Sequence, residues 1–164
     1  MIAMAISCHP ALLIADEPTT ALDVTIQVQI LEIMKTIKRT FGTSILLITH
    51  NLGVIAEMAD RVAVMYAGNI VEYTDASRLF YQPKHPYTTG LLHCYPEVDG
   101  PRKQLESIEG VVPDLINPPR GCRFHPRCKH AMPVCREREP QLQPVEDGHL
   151  VSCHLYDAGQ ADVR

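Results

Sequence analysis

The sequence contains no run approaching the roughly 20 consecutive apolar residues that a membrane-spanning helix needs. Its apolar start, Met1-Ile2-Ala3-Met4-Ala5-Ile6, has no basic flank and is soon broken by Cys8, His9 and Pro10, so it does not read as a signal peptide. It is expected instead to be the end of a core helix closed near Pro10. There is no excess of positive charge either. Fifteen Lys and Arg face nineteen Asp and Glu, and the net charge of -4 gives no support to nucleic-acid binding. Internal repeats are absent. A hydrophobic share of 46% and a charged share of 21% exclude disorder, and 164 residues suffice for one domain, or for part of one with an appendage. Cysteine, by contrast, is not scarce. Cys8 and Cys94 stand alone, whereas Cys122, Cys128, Cys135 and Cys153 share one segment. Without an export signal, a metal site is a better reading of that group than a disulfide framework.

The chain is organised around Leu12-Leu13-Ile14-Ala15-Asp16-Glu17-Pro18-Thr19-Thr20-Ala21-Leu22-Asp23. Four apolar residues stopped by two carboxylates predict a strand buried on both faces, as in a parallel sheet. Ligands of such sheets bind beyond the carboxyl ends of the strands, where Asp16 and Glu17 would sit. Adjacent carboxylates repel, and a cation such as Mg²⁺ carried by a nucleotide would relieve both. Val24 to Thr40 follows with helical apolar spacing, closed by Lys38, Arg39 and Gly42. Ser44 to His50 repeats the pattern of an apolar strand ending on a titratable residue. A crossover helix between two parallel strands brings both ends to one rim, which places His50 near Asp16 and Glu17.

Asn51 to Ala59 reads as a short helix. Arg61 to Met65 and Ile70 to Tyr73 read as a hairpin about Ala67-Gly68-Asn69. Thr74 or Asp75 would cap a helix through Phe80 that Pro83 stops. From Gln82 to Pro144 prolines recur without periodicity, including Pro96, Pro101, Pro118, Pro119 and Pro126. Such a segment needs a metal staple or another surface to pack on, so a boundary is expected near residue 82. From Asp157 the chain reads as a frayed tail.

Leu13 to Pro18, Ala21-Leu22-Asp23 and Ile48-Thr49-His50 resemble the Walker B motif, D-loop and switch histidine of ABC transporter ATPases. Pro83-Lys84-His85-Pro86-Tyr87-Thr88, Gly121 to Cys128 and Cys153-His154-Leu155 are similar to the C-terminal extension of oligopeptide and dipeptide importer ATPases. The resemblance implies an α/β fold. Residues 1–81 would be the C-terminal half of a P-loop NTPase domain of ABC type, and residues 82–164 a small irregular Cys-rich extension. It further implies ATP with Mg²⁺ as cofactor, Asp16 helping to hold Mg²⁺ through its water shell, and Glu17 orienting the attacking water or taking its proton. His50 would contact the γ-phosphate, and Asp23 would communicate across an ATPase dimer. Implied partners are a second ATPase subunit and transmembrane permease subunits, with peptide met only indirectly, at the cytoplasmic face of the membrane.

No Gly-x-x-x-x-Gly-Lys-Ser/Thr occurs, since none of the nine glycines precedes a lysine, and the family's signature loop is missing too. The chain therefore reads as the C-terminal half of a longer protein, inactive by itself. The alternative is a non-catalytic metal-binding interaction module docking on an intact ATPase. Four thiolates in a segment with little core would suit a metal centre. Spacings of five, six and seventeen residues between Cys122, Cys128, Cys135 and Cys153 decide no metal. The resemblance favours a [4Fe-4S] cluster, with Zn²⁺ as the alternative, in which His125, His130 or His154 could replace a cysteine. Arg120, Arg123, Arg127, Lys129, Arg136 and Arg138 are expected to offset the site's negative charge.

Overall fold

The computed structural model describes residues 2–94 and 107–157, which divide into two compact units between Ala59 and Asp60. The prolines at 96 and 101 and the tail beyond Asp157 lie outside the described residues. The boundary expected near residue 82 falls inside the second unit.

The first unit runs α1 (Ile2–Ile6), β1 (Leu12–Asp16), α2 (Val24–Phe41), β2 (Ser44–Ile48) and α3 (Leu52–Met58). Strands β1 and β2 pair in parallel, from Leu12 opposite Ser44 to Asp16 opposite Ile48, with α2 as the crossover. Asp23 caps α2 by accepting the Ile26 N–H at 3.0 Å, and Gly42 ends it at φ 66°, a left-handed angle that glycine adopts without steric cost. Leu31, Met34 and Ile37 on α2, with Val54 on α3, are buried and form this unit's core. The expectation that β1 is buried on both faces is not met. Leu12 (51%), Ile14 (61%), Leu46 (49%) and Ile48 (47%) are exposed, because no described element covers the sheet face they share. Nor does α1 lie in a core, since Met4 is exposed.

The second unit begins with β3 (Arg61–Tyr66) and β4 (Asn69–Asp75), an antiparallel hairpin. Its turn residues Ala67 and Gly68 both take positive φ, 47° and 86°, as a tight hairpin with two central residues requires. Helix α4 (Ala76–Tyr81) is capped by Asp75 and α5 (Pro86–His93) by His85. After α6 (Val134–Glu137) come β5 (Gln143–Glu146) and β6 (His149–Val151), which the sequence did not foretell. They join the hairpin to give one antiparallel sheet in the order β3-β4-β6-β5. The proline-containing segment thus obtains a core by adding strands to the free edge of β4, with Glu72 opposite Val151 and Tyr73 opposite Leu150. Tyr66, Tyr87 and Phe124 stack with ring centroids 4.7 to 5.5 Å apart, joining the sheet, α5 and the cysteine segment.

Candidate functional site

At the carboxyl rim of the parallel pair, the chain leaves β1 through Glu17, whose φ of 44° is unusual for a residue with a Cβ. Its N–H donates to Ile48 O at 2.8 Å, so the end of β1 is tied to the end of β2. The Glu17 carboxylate is held from two sides. Thr20 Oγ1 donates to Oε2 at 2.9 Å, and His50 Nδ1 lies 3.1 Å from Oε1. The hydrogen bond from Thr20, and then that to His50, lower the Glu17 pKa from its ordinary value. Glu17 is therefore ionised at neutral pH and oriented, while remaining open to solvent. Asp16 is exposed at the end of β1, beside this pair in sequence but outside its hydrogen bonds. Asp23 is occupied locally as the cap of α2.

The four grouped cysteines are all free thiols; Cys122 and Cys128 are half-buried, Cys135 and Cys153 buried. Gly121, at φ 72°, lets the chain pass so close to α6 that Cys122 N donates to Cys135 O at 2.8 Å. Backbone N–H groups are directed at the sulfurs. Phe124 and His125 serve Cys122, His130 serves Cys128, Leu155 serves Cys153, and Met132 N lies 3.5 Å from Cys135 Sγ. Burial pushes the thiols of Cys122 and Cys128 up, and that of Cys153 up to about 12. Negative charge on other cysteines of the set, when they ionise, acts in the same direction on each. Among the described residues, no group of three or more Cys, His, Asp or Glu side chains is arranged to hold a single metal ion. N–H donors to sulfur favour thiolate over thiol, while burial opposes the charge.

The expected histidine substitutes fare unequally. His154 uses both ring nitrogens, Nδ1 with Asp157 at 2.9 Å and Nε2 on Arg138 O at 2.8 Å, and is not available as a ligand. His125 has Nδ1 engaged with Cys122 O at 2.9 Å. Three of the cations expected to offset the thiolates are directed elsewhere. Arg123 donates to Ala67 O, Arg127 to Ile108 O and Glu109 O, and Arg138 to Asp157.

Sequence reasoning missed a fully buried carboxylate. Glu72 on β4 has no exposed surface, and its carboxylate accepts Lys84 N at 2.8 Å, His85 N at 3.0 Å and His149 Nε2 at 2.7 Å. This junction fastens the Lys84-His85 turn and β6 to the hairpin. Nothing in the local pattern signals it, since Ile70-Val71-Glu72-Tyr73 reads as an ordinary half-buried strand.

Residues 71–135 match the family model described as "Oligopeptide/dipeptide transporter, C-terminal region". The span contains Glu72, Cys122, Cys128 and Cys135. The chain is 55% identical over 162 residues to the Bacillus subtilis oligopeptide transport ATP-binding protein AppD, covering 99% of this chain and 49% of that protein. It is 54% identical over 157 residues to the dipeptide transport ATP-binding protein DppD of the same organism, covering 96% and 47%. With the oligopeptide transport ATP-binding protein OppD of Salmonella typhimurium it shares 51% over 153 residues, covering 93% and 45%. The chain spans about half the length of the curated relatives it matches.

Proposed function

We infer that this chain, which belongs to the family of ATP-binding proteins of oligopeptide and dipeptide transport, provides the water-orienting rim of an ATPase that energises peptide import. The observation that carries the reading is the Glu17 carboxylate, held between Thr20 and His50 beyond the ends of two parallel strands. Phosphoryl transfer asks a protein chiefly to position groups and stabilise charge, with one residue orienting the nucleophile. A carboxylate kept ionised by two hydrogen bonds suits that orienting task, and its lowered basicity makes it a weak sink for the proton. In this reading Glu17 aligns the water, His50 fixes Glu17 and faces the terminal phosphate, and Asp16 holds the water shell of Mg²⁺. Asp23 sits where the first turn of α2 begins and serves contact with a second ATPase subunit.

Residues 1–81 are then part of an ABC-type ATPase domain and residues 82–164 its extension. That division is one of origin rather than of packing, because β6 and β5 complete the sheet begun by β3 and β4. Transmembrane permease subunits and a second ATPase subunit are the proposed partners, at the cytoplasmic face of the membrane. No described helix is long and apolar enough to cross a membrane.

Cys122, Cys128, Cys135 and Cys153 would hold a [4Fe-4S] cluster, whose role is to tie the loop from Cys122 to Cys135 to Cys153 beyond β6. Four thiolates around one tetrahedral zinc would lie about 4 Å apart, whereas a cluster spreads them over separate irons. The test of the nucleotide reading is a chimera in which residues 1–164 replace the matching half of the Bacillus subtilis oligopeptide transport relative. Restored ATP-dependent peptide uptake is expected, and a chimera that assembles with its permease but transports nothing would contradict it. Anaerobic purification with iron and sulfide analysis tests the cluster. A colourless protein with one zinc would move the assignment to zinc.

A further inference from the structure

The four thiols are not equally placed. Cys135 and Cys153 are buried, and Cys122 and Cys128 are half-buried to a similar degree. What separates the latter two is the space in front of them. Cys122 lines a crevice of about 10 Å³ between Tyr66, Val71 and Glu139, which barely admits one water. Cys128 lines an open groove of about 740 Å³, bounded by Lys84, His93, Phe124, Lys129 and His130. That volume is within the range that takes a small organic molecule. Cys128 leaves the short 3-10 turn His125–Arg127 in extended conformation. Cys122 by contrast is clamped to Cys135 through its N–H, and Cys153 lies beside the buried end of β6.

We propose that Cys128 is the solvent-open member of the four-thiol set, the one through which reagents and metal reach it. The proposal rests on the reading that the four cysteines form one centre. The two differ in steric access, which sets how readily a reagent reaches the sulfur.

The test is timed alkylation of the metal-free chain of residues 1–164 under native conditions, with iodoacetamide as probe and peptide mass mapping as readout. Exposed Cys8 serves as the reference for an unhindered thiol. Cys128 should be modified about tenfold or more faster than Cys122, with Cys135 and Cys153 slower still. Cys122 or either buried thiol reacting first overturns the proposal. All four reacting at one rate also overturns it, because that pattern means access only by unfolding. A Cys128→Ser chain should lose the fast event and keep the order of the rest. A second arm loads the chain with iron and sulfide and then adds a chelator, after which Cys128 should be the first of the four to regain reactivity. A chain that takes up neither iron nor zinc but still labels first at Cys128 refutes the cofactor reading and supports the open corner.

Discussion

Replacing Glu72 by alanine should cost more than any other single polar substitution in the second unit. The side chain has no exposed surface and accepts three hydrogen bonds, from Lys84 N, His85 N and His149 Nε2. Glu72→Ala strands all three donors where water does not reach. Each stranded donor costs about 1–3 kcal/mol, so with incomplete additivity the loss is about 5 kcal/mol. A whole domain has only about 5–15 kcal/mol in hand, so most of that unit's stability would be gone. Glu72→Gln should behave differently. With its oxygen in the Oε1 position it still accepts from Lys84 N and His149 Nε2, and only the His85 N–H, which now meets the NH₂, loses its acceptor. A loss of about 1–3 kcal/mol, that of one stranded donor, is expected for Gln. The assay is native-state hydrogen exchange of the Lys84 and His85 amides, together with urea unfolding of the full chain. Glu72→Ala costing under about 1 kcal/mol, or Gln costing as much as Ala, would refute the reasoning, because either result means the carboxylate is not the junction's acceptor.

Burial lowers the His85 pKa to about 4 from 6.5, with the neighbouring charge of Glu72 acting the other way. The unfolded chain therefore takes up this proton first as pH falls, and the folded state loses roughly 3 kcal/mol between pH 6.5 and 4. Urea midpoints should fall across that window, and His85→Asn, whose Oδ1 can replace Nδ1 in accepting Tyr87 N, should flatten the slope. Gly121→Ala should disrupt the cysteine segment, since a Cβ there would lie 2.4 Å from Cys135 O at a φ of 72°. A loss of at least about 2 kcal/mol is expected, read as rapid alkylation of all four grouped thiols. Asp23→Ala removes the cap of α2 and should cost about 1 kcal/mol, seen as faster exchange of the Ile26 amide.

The rim was legible because both strands are unbroken apolar runs that stop abruptly on polar residues. Parallel pairing of the two strands then puts Glu17 and His50 at one edge, and they lie 3.1 Å apart. The β3–β4 turn was equally legible, from Ala67-Gly68-Asn69. The bare face of β1 and β2 was not, because an apolar run reports the propensity to be covered, not the presence of a cover. Strands β5 and β6 escaped because one carries Pro144 and both are short, and the pairing of β6 with β4 spans some 80 residues. Glu72 escaped for the same reason: its donors come from residues 84, 85 and 149, and no local pattern announces them. The cysteine grouping was visible in sequence, but which arginines would attend it was not. Backbone carbonyls and Asp157 claimed three of them first.

The most direct measurement of the central claim is single-turnover ATP hydrolysis by the chimera with residue 17 as glutamate and as glutamine. Glu17→Gln removes the charge that orients water and leaves the strand ends, Thr20 and His50 in place. Hydrolysis should fall about 10²-fold or more while nucleotide binding persists and an ATP-bound dimer accumulates. Hydrolysis staying near the parent rate would show that the carboxylate between Thr20 and His50 is not the group that orients the nucleophile.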